Sequence, residues 1–229
     1  QISASNYGDS VSYSAGGVTS WSLFYEKSDG RIFIVSNTNI GSRKLPADTF
    51  YSISSTITDL FMLTNPRVDY TTGYSLNSSY TSSKAVSWLM YQSNWSSYLN
   101  TSYADYAIGA ATLPMFVASW NAKVGTPILN CSYTNARGFY FNVGTATPTT
   151  GVDAYYGTTT IGIYNRVGWL ASPHYHYDSI YGYYIAITNN DRLKGATPTN
   201  DTLALYPCVA LKSGIKGYYD GSKWVLTGT

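Results

Sequence analysis

Apolar and polar positions along this chain follow the strand period at the front, the helix period in the middle and the strand period again at the back. Between Val11 and Ser36 the pattern is strand-like. Trp21-Ser22-Leu23-Phe24-Tyr25 is followed by the turn residues Lys27-Ser28-Asp29-Gly30 and then by Arg31-Ile32-Phe33-Ile34-Val35. The Asp-Gly step between two such runs predicts a β-hairpin. Over 47–64, Ile57, Leu60 and Phe61 fall at helical spacing and predict a short helix. From Ser83 to Leu99 a longer helix is expected: Ala85, Val86, Leu89 and Met90 form one apolar face, with Ser82 or Ser83 as N-cap. Another helix is predicted from Thr112 to Trp120, where Leu113, Phe116, Val117 and Trp120 repeat at helical spacing. Pro114 sits in its first turn, where a missing N–H does no harm. Beyond Gly125 short β-branched and aromatic runs predict strands at 138–143, 159–164, 181–187, 204–211 and 223–227.

No internal repeat or linker divides these parts. The expectation is one domain over 1–229, with a front hairpin region (1–45), a helical region (46–125) and a β-rich region (126–229). That is an α+β architecture, mostly antiparallel, with two main helices in the central region, and not a series of βαβ units.

Composition narrows the class. Only 11% of residues are charged, against about 25% in ordinary globular domains, so Ser, Thr, Asn and 24 Tyr must build most of the surface. Net charge is +2, from 14 Lys and Arg against 12 acids without clusters, which argues against a track for a phosphate backbone and hence against nucleic acid. No apolar run approaches the roughly 18 residues of a membrane span, so the chain is not expected to insert directly. The opening Gln1-Ile2-Ser3-Ala4 reads as a mature or trimmed product. Sequons occur at Asn77, Asn94, Asn100, Asn130 and Asn200, a number that chance supplies in so Asn- and Ser-rich a chain. Cys131 and Cys208 allow two readings. One is a disulfide closing a loop of about 77 residues and contributing about 4 kcal/mol; the other is a pair of buried thiols. The extracellular look of the composition favours the disulfide.

Several blocks carry a resemblance when taken in order. They are Tyr7-Gly8-Asp9 with Val11-Ser12-Tyr13, Gly17-Val18-Thr19-Ser20-Trp21, Trp88-Leu89, Asn94-Trp95-Ser96 and Tyr106-Ala107-Ile108-Gly109. After them come the stretch from Pro114 to Lys123, Trp169-Leu170-Ala171-Ser172, and the stretch from Leu205 to Ser213. Together they resemble the Tyr-rich C-terminal ectodomains of clostridial-type Gram-positive surface proteins that carry a type IV prepilin-like N-terminus. The back half is similar to the C-type-lectin-like fold, in which a Trp-containing core strand precedes a variable surface stretch. The resemblance implies a cell-surface or pilus location, and it strengthens the disulfide, since both cysteines fall where that family places them. One departure is Tyr206, which stands where the family has Arg before the Pro of the last block.

The candidate binding site is the stretch after Trp169-Leu170-Ala171-Ser172: His174, Tyr175, His176, Tyr177, Asp178, Tyr181, Tyr183 and Tyr184, with Asn189 and Asn190 in the adjacent loop. Tyr offers a rigid ring and a hydroxyl at low entropic cost, which suits recognition. Alternate tyrosines also line ordinary sheets; the crowding of His, Asp and Tyr favours binding. His174, His176 and Asp178 are spaced by two and would share one face of a strand, a set that a transition metal could use. With no thiolate or third histidine nearby, solvated polar residues are the better reading. Asn189-Asn190-Asp191 and Asn200-Asp201 read as turns, not calcium ligands, and no cofactor is expected. No nucleophile elbow, P-loop or His-Glu-x-x-His pattern exists, so an enzyme is not expected. Instead the sequence points to recognition of a host or neighbouring-cell glycan or protein, with filament self-association or a phage or retroelement-diversified receptor-binding protein as alternatives.

Overall fold

A computed structural model of the chain describes residues 1–46, 53–63, 84–125, 131–134, 138–141, 154–174 and 184–229. These residues form an α+β fold with two mostly antiparallel sheets. The first sheet has seven strands: β1 (Ser10–Val11), β2 (Trp21–Glu26), β3 (Ile32–Ser36), β4 (Ala104–Ile108), β11 (Cys208–Leu211), β12 (Lys216–Tyr219) and β13 (Trp224–Gly228). Their order is β12-β13-β1-β2-β3-β11-β4, antiparallel except where β1 meets β13. The second sheet has six: β5 (Cys131–Thr134), β6 (Gly138–Phe141), β7 (Ala154–Tyr155), β8 (Val167–His174), β9 (Tyr184–Asn189) and β10 (Arg192–Ala196). It runs β5-β6-β8-β9-β10-β7, with β6 and β8 parallel. The helices are α1 (Ser55–Leu60), α2 (Lys84–Met90) and α3 (Leu113–Val124).

The front hairpin forms as its pattern requires. Lys27 N–H donates to the Arg31 carbonyl, Gly30 takes a φ of 85°, and Asp29 Oδ1 accepts from Arg31 N–H, closing the turn. α3 also matches its signals. Thr112 caps it by accepting from Met115 N–H, Pro114 lies in the first turn, and Gly125 ends it in the left-handed region at φ 75°.

Two expectations change. The helix expected over 83–99 stops at Met90. Beyond it the chain makes two 3₁₀ turns, Gln92–Asn94 and Ser96–Tyr98. Side chains close the helix end: Gln92 Nε2 donates to the Met90 carbonyl, and Asn94 Nδ2 and Trp95 Nε1 to that of Trp88. Local side-chain donors thus satisfy carbonyls that another helical turn would otherwise have used. The run 159–164 is a turn and not a strand, because Tyr164 and Asn165 N–H groups both fold back on the Ile161 carbonyl while Ile163 and Tyr164 enter the core. β11, β12 and β13 return to the front hairpin's sheet, so the regions 1–45 and 126–229 are mixed in space.

One core spans both sheets. Its centre is α3, with Phe116 against Phe24 of β2, Tyr156 and Tyr164, and Trp120 against the same two tyrosines. Ser119 Oγ lies 2.6 Å from the Tyr164 hydroxyl and donates to the Phe24 carbonyl at 2.5 Å, tying helix, sheet and loop. Trp120 and Trp169 are buried, as expected of core residues.

The expected disulfide is corrected here. Cys208 is a free, fully buried thiol in the middle of the first sheet, between β3 and β4, with Sγ 3.8 Å from Met115 Sδ of α3. Cys131 opens β5, an edge strand of the other sheet. Of the two readings, the structure gives Cys208 that of a packed thiol. Burial pushes its pKa up, partly offset by the Arg166 cation, so it stays protonated at neutral pH.

Candidate functional site

Most of the Tyr/His stretch, 175–183, lies outside the described residues, and with it Tyr175, His176, Tyr177, Asp178, Tyr181 and Tyr183. Its two ends are placed. His174 closes β8 and Tyr184 opens β9, and the two are paired across an antiparallel ladder. The same ladder pairs Val167 with Asn189 at its other end. Asn189 and Asn190 therefore stand about 16 Å from Tyr184, at roughly 3.3 Å per strand residue. That separation holds for the described end of the Tyr stretch, Tyr184. Asn190 is a turn residue, at φ 59°, whose N–H donates to the Arg166 carbonyl and whose carbonyl lies 2.8 Å from the Tyr156 hydroxyl. Asn200-Asp201 is likewise a turn, with Asp201 Oδ2 accepting from Thr197 N–H at 2.7 Å. Among the described residues no group of three His, Cys, Asp or Glu side chains converges; His176 and Asp178 lie outside them.

The described residues build a different concavity. An open groove of about 940 Å³ runs between the 40–44 loop, the 88–98 segment and the 202–205 segment. That is within the size range of small-ligand sites. Two of its sides are held to each other. The loop is laid along 203–205 by backbone bonds from Ile40 N–H to the Leu205 carbonyl, from Arg43 N–H to the Leu203 carbonyl, and from Leu203 N–H back to Arg43. Trp169 Nε1 adds a fourth bond, to the Arg43 carbonyl at 2.9 Å. The core tryptophan of β8 thus positions the groove's rim.

The floor is aromatic. Trp88 lies edge-on to Trp95 with ring centroids 5.1 Å apart, and Trp95 is tilted against Tyr98 at 6.3 Å. Trp95 is buried while Trp88 and Tyr98 stay partly exposed. Two glycines make room for this stack. A Cβ on Gly109 would come within 2.6 Å of Trp95 Cε2 and Cη2, and one on Gly16 within 2.7 Å of Tyr98 Cδ1. Beneath Tyr98, the buried Tyr13 hydroxyl donates to the Tyr98 carbonyl at 2.8 Å and accepts from Asn100 N–H at 2.7 Å. Burial raises the Tyr13 pKa to about 12, with the Asn100 N–H working against the shift. Above the floor, the Arg43 guanidinium sits 4.4 Å over the Trp88 ring, a cation–π contact. Ser42, Ser97 and Thr202 add hydroxyls.

Tyr206 takes the Arg166 guanidinium over its ring at 3.8 Å, while Arg166 also donates to the Ser36 carbonyl at 2.8 Å. Burial lowers the Arg166 pKa to about 10, so it is still charged at neutral pH. That pair is a structural clamp between the sheets.

The sequence pattern hides this groove, because helical spacing places its aromatics in one continuous helix. The available signal is Trp88, Trp95 and Tyr98 interspersed with Asn and Ser, a pattern richer in ring faces than a helix with one buried stripe needs. Elsewhere a smaller groove of about 220 Å³ lies among Ile2, Leu211, Ile215 and Leu226, and Tyr218 and Tyr219 of β12 are exposed. No helix among the described residues is long and apolar enough to cross a membrane. Comparison with protein families, with characterised proteins and with solved structures finds no match to this chain.

Proposed function

We propose that this chain is an extracellular recognition domain, displayed on a cell surface or pilus, which binds glycan or protein ligands of a host or neighbouring cell. In this reading its two sheets are a C-type-lectin-like variant of the prepilin-associated ectodomains that the sequence resembles. The observation that carries the proposal is the open groove floored by Trp88 and Tyr98 and rimmed by Ser42, Ser97 and Thr202. Ring faces stack on sugars or apolar side chains, and hydroxyls bond to polar groups; display in many copies multiplies a modest single-site affinity. The Tyr stretch at 175–183 is the other candidate face.

A glycan and host-protein array separates the two faces. Wild type is compared with Trp88→Ala and with a variant carrying Tyr175, Tyr177, Tyr181 and Tyr183 all changed to Ala. Binding lost in Trp88→Ala alone, with thermal stability kept, assigns the groove. Loss in the Tyr variant alone assigns the stretch. Absence of binding in wild type refutes the recognition reading. A filament subunit is the second reading, favoured by β12, an edge strand whose Tyr218 and Tyr219 are 56% and 49% exposed. It predicts concentration-dependent assembly, visible by electron microscopy.

A further inference from the structure

We infer that the groove between Arg43 and Trp88 takes an acidic saccharide, one that carries carboxylates. The inference rests on the recognition reading and narrows its ligand class. Its basis is the distribution of charge around an aromatic floor. Arg43 and Lys44 both line the groove, both are exposed, and no Asp or Glu stands among the described lining residues. Three cations elsewhere, Lys27, Arg31 and Arg192, pair with Asp29, Asp105 and Asp191, and what sets Arg43 and Lys44 apart is that they stand side by side on an aromatic floor. In a chain with 14 cations, 12 acids and a net charge of only +2, two adjacent cations with no carboxylate among the described lining residues give this part of the groove a positive character.

Arg43 is also prepared for a planar anion. Its backbone is fixed by bonds to Leu203 and from Trp169, and its guanidinium rests on the Trp88 face. Nε donates to the Lys44 carbonyl at 3.2 Å, which leaves the two terminal nitrogens as a fork that matches a carboxylate. The ordering cost of a long side chain is thereby largely met before a ligand arrives. Asn94 commits its amide nitrogen to the Trp88 carbonyl, so its acceptor oxygen remains for a sugar hydroxyl, and Ser42, Ser97 and Thr202 serve as donors or acceptors. Stacking face, hydroxyl partners and carboxylate fork together describe a carboxylated sugar. A nucleic-acid backbone fits poorly, because two cations cannot follow a run of phosphates.

The test uses titration calorimetry on the full chain with two matched probe pairs: tetragalacturonate against its methyl ester, and sialyllactose against lactose. The expected result is that at least one acidic probe binds about tenfold tighter than its neutral partner, as a charged hydrogen bond implies. That preference should shrink as salt is raised from about 50 to about 500 mM, and it should vanish in Arg43→Gln/Lys44→Gln. Both positions are exposed, so the variant should keep its fold, with the circular dichroism melt as the check. Equal binding of acidic and neutral probes, lost in Trp88→Ala, overturns the charge inference while the recognition reading stands. Failure of both acidic probes to bind overturns it too; the array then decides the recognition reading separately. A preference that survives in Arg43→Gln/Lys44→Gln overturns the assignment to this groove.

Discussion

Changing Gly109 to Ala tests whether the groove floor is set by one steric contact. Gly109 follows β4, and its N–H donates to the Leu89 carbonyl at 2.9 Å. Its backbone is not in the left-handed region, so Ala can adopt it, and the stiffer unfolded chain would by itself add about 0.4–1 kcal/mol of stability. Against this, the new Cβ lies 2.6 Å from Trp95 Cε2 and Cη2, and closer still to Cζ2, where ordinary carbon contacts are about 3.5–4 Å. The ring has nowhere to retreat, being 3% exposed and wedged against Trp88. Overpacking typically costs about 1–3 kcal/mol, and a clash of this depth belongs at the upper end. The net expectation is a loss of about 2 kcal/mol, or about 4–8 °C in Tm for a chain of this size. Urea unfolding followed by far-UV circular dichroism measures it, in a cycle with Trp95→Leu. In the Trp95→Leu background the space is open, so Gly109→Ala should cost less than about 0.5 kcal/mol, giving a coupling of about 1.5 kcal/mol. Equal costs in the two backgrounds would refute the steric account and leave the glycine explained by its backbone alone.

Tyr13→Phe removes the hydroxyl that serves both Tyr98 and Asn100; a loss of about 1–3 kcal/mol in urea titration is expected, and no loss would mean that water replaces it without cost. Alkali should destabilise the fold through the same ring and through Tyr156 and Tyr164, whose pKa values are also raised by burial. A folded pKa above the unfolded value of 10.0 contributes stability fully present below pH 10 and lost as pH rises through the folded value, which for Tyr13 is about 12. Tm measured from about pH 8 to 12 should hold to about pH 10 and then fall; a flat profile contradicts the burial of these rings. Cys208 should resist maleimide in the native state and label fully in guanidinium. A non-reduced digest joining its peptide to that of Cys131 would overturn the free thiol.

Local pattern was enough wherever one segment supplied both the apolar face and its punctuation. The hairpin over 21–36 and α3 have their turn, cap and stop residues in line: Asp29-Gly30 for the first, Thr112, Pro114 and Gly125 for the second. The α+β class, the mostly antiparallel sheets and the burial of Trp120 and Trp169 follow from the same signals. The 83–99 segment misleads because its spacing is helical throughout, while its end is decided by side-chain amides that compete for the last carbonyls. β4 and β10 carry no clear local signal: β4 is ordered by β11, which is distant in sequence, and β10 by the strands on either side of it.

By itself the sequence determined what kind of surface this protein has: neutral, hydroxyl- and ring-rich, without clustered charge, and built on segments whose periods name their type. Tertiary structure alone decided which segments meet. It sent β11, β12 and β13 back to the front sheet, set Cys208 against Met115 and not in a disulfide, and put Asn189 at the far end of β9 from Tyr184. It also assembled a groove from residues 43, 88, 98 and 202, which share no motif. The physical reason is range. Caps, turns and amphipathic faces are fixed by neighbours within a few residues, whereas strand order and concavity come from the packing of a shared core, in which each position depends on partners that sequence proximity does not reveal.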